Sequence, residues 1–136
     1  MGKALGIDYG AKRTGIAITD AMQIIASGLT TVNTNYLYTF IANIVLEENI
    51  ECFVVGNPKN LDGTNTDITR SVNSFVRKLK KLYPKISLYQ IDERFTSKIA
   101  RNTILASGIK KQARKNKSLV DKISATIILQ SYLDGR

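Results

Sequence analysis

The chain contains no histidine, one cysteine and no tryptophan in its 136 residues. Without imidazole there is no Ser-His or Cys-His nucleophile pair, and no histidine to act as acid or base. One cysteine without histidine also excludes the usual zinc cages. Cys52 sits within the apolar run Ile50–Val55 and reads as a small buried hydrophobe. A fold independent of disulfides and a reducing, cytoplasmic compartment are the expectations. No apolar run approaches the roughly 20 residues of a membrane span. The amino terminus leads straight into a strand, so no secretory signal peptide is expected. Internal repeats and low-complexity segments are absent too. A single domain over 1–136 is expected, long enough to bury roughly two-thirds of its unfolded surface.

What remains for chemistry is carboxylates, hydroxyls, lysine and arginine. Oxygen-rich sites of that kind prefer magnesium or manganese. The formal charge of +9 is large for this length and points to a polyanionic partner, with nucleic acid first.

Strand 1 is expected over Lys3–Asp8 and strand 2 over Thr14–Thr19, joined by a tight turn through Gly10, Lys12 and Arg13. After Asp20-Ala21, Ile24–Val32 reads as a third extended run, which completes an antiparallel meander. Asn33-Thr34 supplies caps for a helix over Asn35–Glu48. Glu51–Gly56 is a compact apolar strand of the kind buried on both faces. A turn-rich loop follows, and Thr64 with Asp67 resembles a capping box opening a helix to Tyr83. Ile86–Ile91 is a strand, Thr96 or Ser97 caps a helix to Ala106, and the stretch from Lys110 to Lys117 is basic with no apolar period. Ser118–Leu133 is a helix apolar nearly all round, which should lie against a sheet. The class is therefore α/β: a five-stranded mixed sheet, three antiparallel strands followed by alternating helix and strand, flanked by helices.

Three acids end or begin core elements. Asp8 closes strand 1, Asp92-Glu93 closes strand 5, and Asp121 is expected in the first turn of the last helix. Ligands gather at the carboxyl ends of parallel strands, so acids distant in sequence can share one rim. The plain alternatives are a solvated strand end at Asp92-Glu93-Arg94 and a helix-capping carboxylate at Asp121. Gathered together, three carboxylates repel one another unless cations compensate them. Two divalent ions about 4 Å apart would stabilise both oxygens of an in-line phosphodiester displacement and acidify a water, with no histidine needed.

Four ordered motifs carry a family resemblance over essentially the whole chain. They are Gly6-Ile7-Asp8-Tyr9-Gly10 with Lys12-Arg13 and Gly15; Val55-Gly56 with Pro58 and Leu61-Asp62-Gly63-Thr64; Asp92-Glu93-Arg94-Phe95-Thr96-Ser97; and Val120-Asp121 with Ile123, Ala125 and Ile128-Leu129-Gln130. Together they resemble the YqgF family of pre-ribosomal-RNA nucleases and Holliday-junction-resolvase homologues. The resemblance implies an RNase H-like fold and a metal-dependent endo- or exonuclease that needs Mg2+ or Mn2+. It makes Asp8, Glu93 and Asp121 the catalytic and metal-binding acids, with Asp92 as the substitute for Glu93. The implied substrate is the ends of precursor 16S ribosomal RNA, and small-subunit precursors are implied partners. Branched DNA is the competing substrate. Asn57 and Phe95 depart from the leucines usual in the family and flank the acids without replacing them.

Lys12, Arg13, Lys59 and Arg94 are candidate phosphate contacts, as are Lys110, Lys111, Arg114, Lys115 and Lys117. Such contacts add affinity without reading sequence. No aromatic base-stacking platform is evident, so specificity is expected from shape or metal-site geometry. Two other classes compete. A non-catalytic RNA-binding module would keep the fold, although the intact acids speak against it. Asp-x-Gly after a first strand also opens actin-like ATPases, but those clasp nucleotide between two such domains and one is available here.

Overall fold

A computed structural model describes residues 2–58, 67–93 and 117–135. Strands β1 (Lys3–Asp8), β2 (Arg13–Thr19) and β3 (Ala26–Asn33) form the expected meander, followed by a 3-10 turn over Thr34–Tyr36 and helix α1 (Leu37–Glu47). Then come β4 (Ile50–Asn57), α2 (Asp67–Leu82), β5 (Ser87–Asp92) and α3 (Lys117–Asp134). The sheet order is β3-β2-β1-β4-β5. β2 is antiparallel to both of its neighbours, and β4 is parallel to both β1 and β5. The mixed sheet expected from the order of elements is the one observed. The helix expected over Thr96–Ala106 and the turn-rich loop after Pro58 lie outside the described residues.

Several boundaries differ from the sequence expectation by a residue or two, and three of the differences have a local reason. The third strand begins at Ala26, not Ile24, because the Asp20 carboxylate captures the N–H groups of Met22, Ile24 and Ile25 at 2.8–3.0 Å and holds them in a turn. Helix α1 is preceded by the 3-10 turn, whose cap is the Asn33 side chain accepting from the Asn35 N–H at 3.0 Å. β5 starts at Ser87 because the Ile86 N–H is taken by the Tyr83 carbonyl at 3.1 Å.

The sheet has a coarse face and a fine face, and that asymmetry fixes the layers. In β1 the order Ala4-Leu5-Gly6-Ile7 alternates small and large residues, and strand alternation sends the two sets to opposite sides. Leu5, Ile7, Ile16, Phe53 and Val55 face α1 and α2, where they pack with Leu37, Ile41, Val72, Phe75 and Leu79. Each such fully buried side chain contributes about 1.5–3 kcal/mol. Tyr9 extends this layer by stacking on Phe75, with ring centroids 5.0 Å apart. On the other face Ala4, Ala17, Cys52 and Val54 meet Ala125, Ile128 and Leu129 of α3. Cys52 is buried there, as expected.

Small residues let α3 come down onto the strands. A Cβ built at Gly6 would lie 2.9 Å from the Leu129 Cβ, and one at Gly15 would lie 2.0 Å from the Asp121 carbonyl oxygen. The helix therefore sits nearly backbone on backbone over β1 and β2. This close seat carries Asp121 to the edge of the sheet.

Candidate active site

β1, β4 and β5 run parallel, so their carboxyl ends share one rim. The register pairs Ile7 with Val55 and Asn57 with Asp92, which sets Asp8, Asn57 and Asp92-Glu93 side by side. Asp8 follows Ala4 and Gly6 on the α3 face. Asp92 has the opposite parity to Ile91, which packs in the α3 layer, so Asp92 turns toward the α2 side. The next residue, Glu93, turns back. Its carboxyl meets Asp8 through a side-chain hydrogen bond, and Gly56 leaves the room for it, since a Cβ there would lie 2.6 Å from the Glu93 Cδ. Of the two neighbouring acids, Glu93 is the one that touches Asp8.

Burial dominates the electrostatics of this pair. It pushes the Glu93 carboxyl up to about 9, with the hydrogen bond to Asp8 and the charges of Asp8 and Asp92 adding to the effect. Burial also raises Asp8, opposed by its hydrogen bond with Glu93 and reinforced by the charge of Asp121. Glu93 thus holds a proton near neutral pH and donates it to Asp8. Two acids sharing one proton in a desolvated place is the arrangement a cation would relieve.

Asp121 reaches the same rim from α3. Gly15 is the cross-strand partner of Asp8 and also lies under the Asp121 backbone, so one glycine sets the spacing of two acids. Helix α3 starts at Lys117, one residue earlier than expected, and Asp121 lies beyond its first turn. It is therefore no helix cap. Its Oδ2 instead accepts from the Arg13 Nε at 3.0 Å.

The other expected contacts divide. Arg13 stands beside the acids and Lys12 is exposed in the adjoining turn. Lys59, Arg94, Lys110, Lys111, Arg114 and Lys115 lie outside the described residues, and only the backbone of Lys117 is described. Gly10 leaves space for the chain's own Arg13 carbonyl, 2.2 Å from where a Cβ would be.

Among the described residues no three acidic, histidine or cysteine side chains converge tightly enough to hold a metal ion as they stand. The donor chemistry nevertheless fits one. Asp8 and Glu93 are hard oxygen donors in contact, Asp121 is within electrostatic reach of Asp8, and a divalent ion would take the place of the shared proton. Arg13 engages only Oδ2 of Asp121, so Asp121 could join through its other oxygen; if the ion pair opened instead, the guanidinium would become available to an anion.

Sequence reasoning missed the residues that brace this site. The Thr34 hydroxyl donates to the Gly10 carbonyl at 2.7 Å and lies 2.9 Å from the Thr14 hydroxyl, while its N–H donates to the Lys12 carbonyl. It clamps the turn that carries Lys12 and Arg13. Asn57 Oδ1 is buried at the rim with no hydrogen-bond partner among the described residues. An aromatic pair also exists that the sequence did not suggest: Tyr89 and Tyr132 stack at 5.1 Å on the β5 edge.

Comparison with known proteins shows the family and the fold. Residues 2–135 match the family model described as "RuvX: Holliday junction resolvase". A Bacteroides fragilis protein named "Putative pre-16S rRNA nuclease" is 52% identical over 136 residues, covering 100% of this chain and 99% of its own. A Bacteroides thetaiotaomicron protein of the same name is 48% identical with the same coverage. Among solved structures, Thermus thermophilus RuvC in complex with a Holliday junction substrate aligns with a TM-score of 0.60 at 12% identity, over 98% of this chain and 97% of that one. That likeness establishes the RNase H-like fold. The chain belongs to the RuvX (YqgF) family.

Proposed function

We propose that the protein is a nuclease that hydrolyses phosphodiester bonds in trimming the ends of precursor 16S ribosomal RNA in the cytoplasm, with Asp8, Glu93 and Asp121 as its acids and Mg2+ or Mn2+ as its cofactor. The observation that carries the site is the meeting of Asp8 and Glu93 at the rim, with Asp121 held opposite by Gly15. A bound divalent ion would supply an acidified water and charge neutralisation at the scissile phosphate. The protein's own residues then divide the work. Asp8 and Glu93 would hold the ion in place of their shared proton, Asp121 would complete the anionic set, and Arg13, with Lys12 beside it, would hold a phosphate oxygen. No helix among the described residues is long and apolar enough to cross a membrane.

The test is cleavage of precursor 16S RNA with magnesium by wild type, Asp8→Asn and Asp121→Asn. Each substitution is expected to lower the rate by at least 100-fold with the fold intact by circular dichroism. Wild-type rates in both variants would overturn the site. The family description favours a second reading, the resolution of branched DNA. A four-way junction offered beside the RNA at matched salt separates the two, and preferential junction cutting would reverse the ranking.

A further inference from the structure

Helix α2 carries Arg70, Arg77, Lys78, Lys80 and Lys81, with Asp67 as its one acid. Its buried stripe of Val72, Phe75, Val76 and Leu79 faces the sheet. Arg70, Ser74, Arg77 and Lys81 repeat at intervals of four, three and four residues, so they form a straight line on the opposite, exposed side. That line is about 16 Å long at the helical rise. Ser74, Arg77, Lys78 and Lys81 line an open depression of about 260 Å³. The described residues contain ion pairs at Lys3–Glu48 and Arg13–Asp121, and none on α2. The neighbouring helix α1 has no lysine or arginine and ends in acid. Charge in this layer is thus segregated by helix instead of mixed for solubility.

We infer that the outer face of α2 is a second nucleic-acid surface, one that holds the backbone of double-helical RNA on the layer opposite α3, starting from the end of the sheet that carries the acids. The inference rests on the nuclease reading for its substrate. The start of α2 is tied to the rim, because the Thr69 hydroxyl donates to the Pro58 carbonyl just past the end of β4. The cationic line therefore begins at the end of the sheet that carries the acids, on the layer opposite α3, and runs away from that end. Cations on a straight, rigid line suit the regular phosphates of a duplex. A single strand would also call for aromatic faces on which bases stack, and the ring beside the line, Tyr38, is already covered by Lys78 Nζ at 4.3 Å. A second copy of α2 would be repelled by like charge. An anionic membrane would find no apolar stripe to insert, since that stripe is packed in the core.

The experiment compares wild type with the triple variant Arg70→Gln/Arg77→Gln/Lys81→Gln and with the charge-preserving Arg70→Lys/Arg77→Lys/Lys81→Arg. Binding of a 3′-tailed hairpin RNA is read by fluorescence anisotropy in EDTA across a salt series, so that cleavage plays no part. The neutralised variant is expected to bind at least ten-fold more weakly near 0.1 M salt. Its salt slope should be shallower by about 2–3, since each phosphate that a cation no longer neutralises takes roughly 0.9 from the slope. The charge-preserving variant should keep both values, and melting temperatures should be unchanged. Unaltered affinity and slope in the neutralised variant overturn the assignment. So does tighter wild-type binding to a duplex DNA of the same length, or a wild-type dimer that the neutralised variant dissolves. A failed nuclease reading would appear separately, as absent cleavage with this binding intact.

Discussion

The proton shared by Asp8 and Glu93 makes the stability of the metal-free protein depend on pH in a direction opposite to that of an ordinary salt-bridged acid. Glu93 is held at about 9 in the folded chain, against 4.5 when free. Between those values the folded state keeps a proton that the unfolded state has released. The contribution is therefore fully present below about pH 4.5 and is lost as pH rises toward 9. In EDTA, wild type should melt at a higher temperature at pH 6 than at pH 8.5, and Glu93→Gln, which cannot ionise, should flatten that difference. Magnesium at pH 8.5 should raise the wild-type melting temperature and leave Glu93→Gln nearly unmoved. Thermal melts over this range decide it. A wild type that gains stability from pH 6 to 8.5 would show that the buried pair does not share a proton.

At the level of elements, the seat of α3 is what converts a strand end into a site. Gly15→Ala would place a methyl carbon 2.0 Å from the Asp121 carbonyl oxygen, a backbone atom that yields only if the helix moves. Overpacking of this kind costs about 1–3 kcal/mol, or roughly 3–12 °C in melting temperature for a domain of this size. Cleavage should fall further than the loss of folded protein accounts for, because the same displacement separates Asp121 from Asp8. Specific activity measured well below the melting temperature checks this. Wild-type activity in a destabilised Gly15→Ala would dismiss the seat as a purely structural matter.

The elements that form this seat were largely readable in the sequence, since apolar runs, turn residues and helical periods place each of them to within a few residues. Its fineness was not. Ala4-Leu5-Gly6-Ile7 reads as an unbroken apolar run, and its alternation in size has meaning only once a helix is known to press on one side. For the same reason Gly10 and Gly15 look alike in sequence, although one serves a turn and the other a helix. The choice between Asp92 and Glu93 depends on which face of β5 meets α3, which alternation along one strand does not supply. Thr34, a hydroxyl in a strand-to-helix connection, carries no sequence signal of its role as a clamp.

For the molecule as a whole, the placement of charge matters more than its sum. The described residues hold nearly equal numbers of acids and bases, whereas 94–116 contains seven lysines and arginines and no acid. A nearly neutral body with its excess charge in one segment and one helix directs a polyanion to chosen places instead of attracting it everywhere. Long-range attraction of this kind is screened over about 10 Å at 0.1 M salt, so it should govern association more than catalysis. Replacing Lys110, Lys111, Arg114 and Lys115 with glutamine is expected to weaken hairpin-RNA binding by at least ten-fold near 0.1 M salt and to make the salt slope shallower by up to about 3–4. Single-turnover cleavage at saturating enzyme should change by less than about three-fold, because the acids at the rim are untouched. Anisotropy titrations paired with single-turnover kinetics separate the two effects. A large loss in the cleavage step with binding preserved would move these cations from capture of the substrate to the reacting phosphate itself, and the rim would then have to be redrawn to include them.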